Sequence, residues 1–257
     1  MRGIGYFFKL KFYLGTQTAL RVFWDKCIIK RRIKVPFINY PFKIRYNDFA
    51  DDQIFNEVIL KRSYQGLSQK HTVNRILDLG SNIGLSAISF LSEYPNAEIA
   101  VMEPDQDNYK MLQENTKSYN ESKKRVHYFN AAVYNRETEL FIDNPNVGSH
   151  GFRMAETRGR DDKASVQAVT INNLLTQLGW DQVDIIKVDI EGAEKELFSS
   201  NTEWIGRARY LIVETHDRFK PDCTKTVFKA LENYAYQMKV WNQNMLFSLR
   251  QDQKKLH

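Results

Sequence analysis

Two stretches of this chain concentrate the residue types that hold ligands and move protons. The first is Asp78-Leu79-Gly80-Ser81-Asn82-Ile83-Gly84, led by Ile76-Leu77. Apolar residues run up to an acid, and two glycines then allow a tight turn and a close-packed helix start. The second is Asp184-Ile185-Ile186-Lys187-Val188-Asp189-Ile190-Glu191-Gly192-Ala193-Glu194. It reads as a buried strand ending in a burst of acids, with Gly192 at the turn. Strand alternation puts Lys187 and Asp189 on one face. A lysine deep in a strand requires a partner, and Asp189 or an acid on a neighbouring strand, such as Glu214, can supply it. The plain alternative is a structural ion pair followed by helix-start acids. Yet the carboxyl end of a strand is where open α/β sheets keep their active sites.

A third residue bears on the first stretch. Glu103 closes the next strand, 25 positions after Asp78. A carboxylate there can accept hydrogen bonds from both hydroxyls of a ribose. The glycine turn is Gly-x-x-x-Gly and lacks the three-glycine pyrophosphate fingerprint, which argues against a dinucleotide. A ligand with adenosine, ribose and no phosphate fits better, and S-adenosylmethionine is such a ligand. Its sulfonium is cationic, and Asp78, Glu103 and Asp189 would all end near one crevice.

These residues need a scaffold. From Arg75 onward strands and helices alternate. Strands are expected at 76–78, 99–103, 126–130, 185–188 and 210–215, and helices at 85–94, 108–119, 193–199 and 224–234. That alternation means a parallel sheet covered on both faces. The end of the chain, 237–241 and 245–249, turns at Asn242-Gln243-Asn244 and reads as a hairpin. An insertion after the third strand carries candidate strands at 138–142 and 166–170. Between them lies a polar loop, 143–164, with Gly148-Ser149-His150-Gly151-Phe152-Arg153, which reads as a lid over the substrate. Before the sheet, 33–37 and 42–46 alternate as a hairpin, and Asp51-Asp52 stand at the start of a helix. Arg45, Asp51 and Tyr64 in this segment could face a ligand, though surface or packing roles suit each of them better. The pattern divides the chain into residues 1–70, a basic helix with a hairpin and helix cap, and residues 71–257, the ligand-binding domain.

Composition narrows the classes. The 257 residues are 42% hydrophobic and 26% charged, enough for a sizeable core. The net charge of +6 is concentrated in residues 1–34, which hold nine Lys or Arg and the single acid Asp25. The simpler reading of that leader is a helix packed on its own domain or on a sister subunit. The sharper one is contact with a membrane surface or an anionic polymer. Cys27 and Cys223 have no metal spacing, and a reducing compartment suits them. No run approaches the ~18 apolar residues of a membrane span, so the expected location is cytoplasmic, with peripheral contact at the inner membrane face left open.

The motifs together resemble the FkbM family of S-adenosylmethionine-dependent methyltransferases. The resemblance rests on Asp78–Gly84, on Glu103-Pro104-Asp105, on Asn130-Ala131-Ala132-Val133, on Lys187–Glu194, and on Glu214-Thr215-His216. It implies an α/β, Rossmann-like methyltransferase sheet, mostly parallel with an antiparallel terminal strand, and here with an N-terminal helical and hairpin extension. It implies methyl transfer to a hydroxyl of a sugar, glycan or secondary metabolite. By position, Asp78, Gly80, Ser81, Asn82 and Gly84 would cradle the methionine part. Glu103, with Pro104, would take the ribose, Asn130 and Ala131 would flank the adenine, and Asp189 would sit beside the methyl. The family often has Leu-Asp where this chain has Ile171-Asn172. The asparagine can still cap the next helix, but a carboxylate role there is in doubt.

Methyl transfer to a hydroxyl benefits from a base. Asp189 is the first choice as base or orienter, His216 the second, with Glu191 beside them. No metal ligand is assigned, although Asp189, Glu191 and Glu214 form an alternative cation set. The acceptor is expected to be a small molecule or glycan. Nucleic acid is not expected, because the basic surplus lies in the leader and no Asn-Pro-Pro-aromatic motif occurs. A nucleic-acid methyltransferase, a dehydrogenase and a non-catalytic S-adenosylmethionine-binding or interaction protein are the rival readings. A homodimer is the one self-association considered.

Overall fold

The computed structural model describes residues 2–30, 32–67, 72–121, 124–143, 153–155 and 165–254. The chain starts with two helices, α1 (Arg2–Leu14) and α2 (Thr16–Phe23), the latter running into a π-helical turn at Trp24–Ile29. Then come α3 (Phe49–Ile54), a second π-helical turn at Phe55–Leu60, β1 (Arg75–Leu79), α4 (Leu85–Glu93), β2 (Glu98–Met102) and α5 (Gln106–Asn120). They are followed by β3 (Val126–Phe129), β4 (Ala132–Val133), β5 (Thr138–Asp143), β6 (Arg153–Ala155), β7 (Ser165–Val169) and α6 (Ile171–Leu178). The chain continues through β8 (Val183–Val188), α7 (Glu194–Leu197), a 3-10 turn at Glu203–Arg207, β9 (Ala208–Val213) and α8 (Cys223–Ala230). It ends in β10 (Tyr234–Trp241) and β11 (Asn244–Lys254).

Seven strands form the main sheet in the order β10-β11-β9-β8-β1-β2-β3. β3, β2, β1, β8 and β9 are mutually parallel, and β11 runs antiparallel to both β9 and β10. The expected Rossmann-like methyltransferase sheet with an antiparallel strand near its end is therefore present. Alternation along the strands splits the apolar residues between two faces. Ile76, Ile99, Val101, Ile185 and Ile212 pack on one face with α4 and α5. Leu77, Leu79, Met102, Ile186 and Leu211 pack on the other with Leu174, Trp204 and Val227.

The segment before β1 belongs to the first face. Leu10, Val22, Val35, Phe42, Phe55 and Ile59 join the same apolar cluster as Ile76 and Phe90. Polar links fix it to α5. Arg45 pairs with the buried Asp51 at 2.7 Å and donates to Asn108 Oδ1 at 2.8 Å, and Asn115 Oδ1 accepts from the Lys43 backbone at 2.7 Å.

Several expectations need adjustment. The hairpin at 33–46 is reduced to one antiparallel bridge between Ile33 and Phe42. Toward the turn the Ile38 amide donates to the Val35 carbonyl at 3.3 Å, so the chain bends back before a second pair forms. Asp48 caps α3 through the Ala50 and Asp51 amides, with Asp51 and Asp52 in its first turn. Thr170, and not Asn172, caps α6. The insertion builds a second sheet, β4-β7-β5-β6, that sequence patterning only partly showed. The proposed lid at 143–164 lies outside the described residues except for Asp143 and the short strand β6.

Candidate functional site

The carboxyl ends of β1, β2, β8 and β9 open into one cleft of about 720 Å³. Its floor is the meeting of the two turns singled out in the sequence. Gly80 has φ +76°, and a Cβ there would stand 1.9 Å from the Asp189 carbonyl oxygen. The close approach of these two backbones is therefore possible only with glycine. Asn82 (φ 48°) and Glu191 (φ 53°) also hold left-handed conformations beside the cleft, the kind of local strain that concentrates at functional sites.

Gly80, Ser81, Asn82, Glu103, Pro104, Ala131, Asp189 and Glu191 line the cleft. Glu103 is buried, with Oε2 accepting from the Asn82 amide at 2.9 Å and Oε1 from the Asp105 amide at 3.0 Å. Burial raises its pKa and these amide bonds pull it partly back, leaving it at about 7. Hydrogen bonding to the anion is what keeps a buried carboxylate near ionisation at neutral pH.

Four predicted residues do not line the cleft. Asp78 is wholly buried beneath it, 3.1 Å from Lys187 Nζ and accepting from Ser86 Oγ at 2.6 Å. It is the strand-to-strand neighbour of Lys187, so it answers the question of the lysine's partner; Asp189 is farther, at 3.6 Å. Lys187 also donates to the Gly80 carbonyl at 2.8 Å, tying the two turns together. Asp78 thus lies beneath the cradle and outside its lining, bracing it through Lys187 and Ser86. Gly84 (φ +87°) packs against α5, where a Cβ would meet Leu112 at 2.7 Å. Asn130 braces the end of β2, donating to the Glu103 and Pro104 carbonyls at 2.9 and 3.1 Å.

His216 is the fourth. It is only 2% exposed and stacks on Phe219, with ring centroids 5.8 Å apart. Its Nδ1 lies 3.0 Å from Glu194 Oε1, and Nε2 lies 3.5 Å from Glu191, 3.7 Å from Glu214 and 3.8 Å from Asp189. Burial alone would lower its pKa, but the Glu194 bond and the surrounding acids raise it to about 9. A ring held this way by Glu194 and ringed by acids favours its protonated form, which suits pairing with those acids more than accepting a further proton. Glu194 is equally structural: its carboxylate accepts from the Ile190 and Gly192 amides at 3.1 and 3.0 Å, closing the acidic turn.

Glu214 is a cleft residue that sequence reasoning underweighted. It lines the cleft with Asp189 and Glu191. Burial and the neighbouring Asp189 charge raise the pKa of both glutamates. The signal was present in its position just past the fifth parallel strand, level with Asp189. The structure also brings Glu57, Tyr64 and Phe49 of the N-terminal segment to the cleft wall. Of the other residues considered there, Arg45 and Asp51 bind each other. Asp189, Glu191 and His216 each offer an atom within 4.8 Å of the others, a grouping that could hold a metal ion.

The arrangement suits S-adenosylmethionine. A glycine turn filled to contact by the Asp189 backbone leaves room above it, a buried carboxylate ends β2, and Asp189 stands at the rim with the carboxyl oxygens of Glu191 and Glu214 as further acceptors. Comparison with known proteins agrees. The methyltransferase FkbM domain matches residues 78–238. A 2-O-methyltransferase, NoeI, of Sinorhizobium fredii (strain NBRC 101917 / NGR234) is 23% identical over 159 residues, covering 56% of this chain and 63% of its own. A solved methyltransferase FkbM from Methylobacillus flagellatus KT shares the fold at a TM-score of 0.52 and 16% identity, over 96% of this chain and 59% of its own. The chain thus spans about three fifths of the length of each.

Proposed function

The chain belongs to the FkbM family of S-adenosylmethionine-dependent methyltransferases, and from that premise we propose that it methylates a hydroxyl oxygen of a sugar, glycan or secondary metabolite. The observation that carries the reading is the placement of Asp189. Its backbone packs on the Gly80 turn, and its carboxylate, a quarter exposed, stands at the cleft rim between Lys187 and His216. The 2-O-methyltransferase relative supports oxygen as the acceptor atom.

S-adenosylmethionine, when bound, supplies an electrophilic methyl on a cationic sulfonium. The chain's own residues do the rest. Gly80, Ser81 and Asn82 form the turn that holds the amino acid part, and Glu103 accepts from the ribose hydroxyls. Ala131, in the cleft lining, would border the adenine, and Asn130 would hold the Glu103-Pro104 backbone in place. Asp189 orients the acceptor hydroxyl and takes its proton as the oxygen attacks. His216 and Lys187, both cationic and buried, keep Asp189 and its neighbouring acids in place without competing for that proton. Positioning supplies much of such a rate, and a base contributes about a hundredfold or more.

The test uses S-adenosylmethionine labelled in its methyl group, offered with a panel of hydroxyl-bearing glycans and nucleotide sugars. Label is expected on an oxygen of at least one acceptor. Asp189→Asn should reduce transfer about a hundredfold or more while keeping affinity for S-adenosylhomocysteine. Full transfer by Asp189→Asn would remove the base role, and label on nitrogen or on nucleic acid would overturn the acceptor class.

A further inference from the structure

The N-terminal helices present an apolar surface that the methyltransferase reading leaves unused. Seven of the thirteen large apolar side chains exposed among the described residues lie between Ile4 and Ile29. Their spacing is ordered. Ile4, Phe8 and Phe12 recur every four residues on α1, and Leu20, Trp24 and Ile28 do the same along α2 and its π-helical extension. Such spacing puts each set on one side of its helix. The opposite sides are engaged: Tyr6, Phe7, Leu10, Tyr13 and Leu14, then Ala19, Val22 and Phe23, pack into the domain's apolar cluster. The exposed sets therefore face away from the body. Phe12 is 82% exposed, well beyond what a scattered surface residue requires.

The exposed charges carried by these helices themselves have one sign, while Asp52 of α3 is paired with Lys26 at 2.6 Å. Lys9, Lys11, Arg21 and Lys30 are exposed, while the only acid of the segment, Asp25, is buried 3.8 Å from Arg21. Apolar and aromatic side chains flanked by lysines are the pattern of a helix lying in a bilayer interface, with the apolar side chains among the acyl chains and the ammonium groups at the headgroups. Trp24 fits the same boundary. Among the described residues no helix is long and apolar enough to cross a membrane, so the contact is one of lying on the surface. A second copy of the chain is disfavoured, because apposing this face with itself brings like charges together. Phe8, Phe12 and Trp24 alternate here with aliphatic Ile4, Leu20 and Ile28, a mixture that suits acyl chains better than a continuous platform for stacked bases. We infer that α1, α2 and the turn after them dock the enzyme on an anionic lipid bilayer.

Sedimentation of the full chain with vesicles tests this. With equimolar phosphatidylcholine and phosphatidylglycerol the chain should pellet, and with phosphatidylcholine alone it should stay in solution. Phe8→Ser with Phe12→Ser should lower the bound fraction about tenfold or more, with an unchanged melting temperature. Leu20→Ser with Trp24→Ser, on the second helix, gives an independent reading if the first pair disturbs folding. Lys9→Gln with Lys11→Gln should weaken binding and flatten its salt dependence. The inference is overturned if the anionic vesicles fail to pellet the chain, or if both apolar pairs bind as the parent does. It is also overturned if light scattering shows a dimer that the Phe8→Ser, Phe12→Ser chain no longer forms.

Discussion

His216 shows how a residue can be placed by its sequence position while its surroundings stay hidden. Its position past the fifth parallel strand placed it near the acids, and it is there. What the sequence could not show is that Glu194, two residues beyond a glycine turn, folds back to hold its Nδ1. The consequence is a pH dependence with a definite sign. His216 rises from its ordinary 6.5 to about 9 on folding, so its contribution to stability is complete below pH 6.5 and is lost as pH climbs through 9. Glu191 and Glu214 are also raised, so the folded chain binds more protons than the unfolded one there too, and their contribution has the same sign. The melting temperature should therefore fall between pH 6.5 and 9, and the His216 ring should remain protonated by NMR at pH 7.5. An imidazole titrating below 7 would contradict this account of the cluster.

The elements that build the cleft were largely legible. A strand, a Gly-x-x-x-Gly turn and a helix have a strong local signature, and so does a buried strand ending in acids. The close contact between the two turns was not legible, because it depends on pairing β1 with β8 across more than a hundred residues. That contact makes Gly80 and Gly179 an informative pair. Both have positive φ, at +76° and +66°, but only Gly80 has a neighbour where a Cβ would go. Gly179→Ala should cost about 1–2 kcal/mol from backbone strain alone. Gly80→Ala should cost clearly more in urea unfolding and should abolish S-adenosylhomocysteine binding. Equal costs would mean that the turns do not meet as described. The Lys187–Asp78 pair makes a second prediction at this scale. Lys187→Met strands a fully buried carboxylate and should destabilise by about 3–5 kcal/mol. Replacing Asp78 with Leu in the same chain should recover part of that loss.

The whole molecule is less divided than its sequence. The basic leader and the segment up to Leu67 read as a separate cap, since their composition differs from the rest. Yet their apolar residues share one cluster with the sheet, and Phe49, Ile54 and Val58 wall the cleft that the strand ends open into. Sequence patterning sees the amphipathic face of a helix but not the surface it will meet, so this shared core emerged only in three dimensions. The second sheet was only half legible for a similar reason: β5 and β7 were expected, but β4 and β6 are too short to carry a periodic signal. Extension, turns and strand ends thus converge on a single binding space. Titration of the full chain with S-adenosylhomocysteine tests that convergence most directly. The parent chain should bind, and Glu103→Gln should weaken binding roughly tenfold to a hundredfold, the worth of hydrogen bonds to a charged acceptor. Undiminished affinity in Glu103→Gln, or no binding by the parent chain, would contradict the placement of the methyl donor in this cleft.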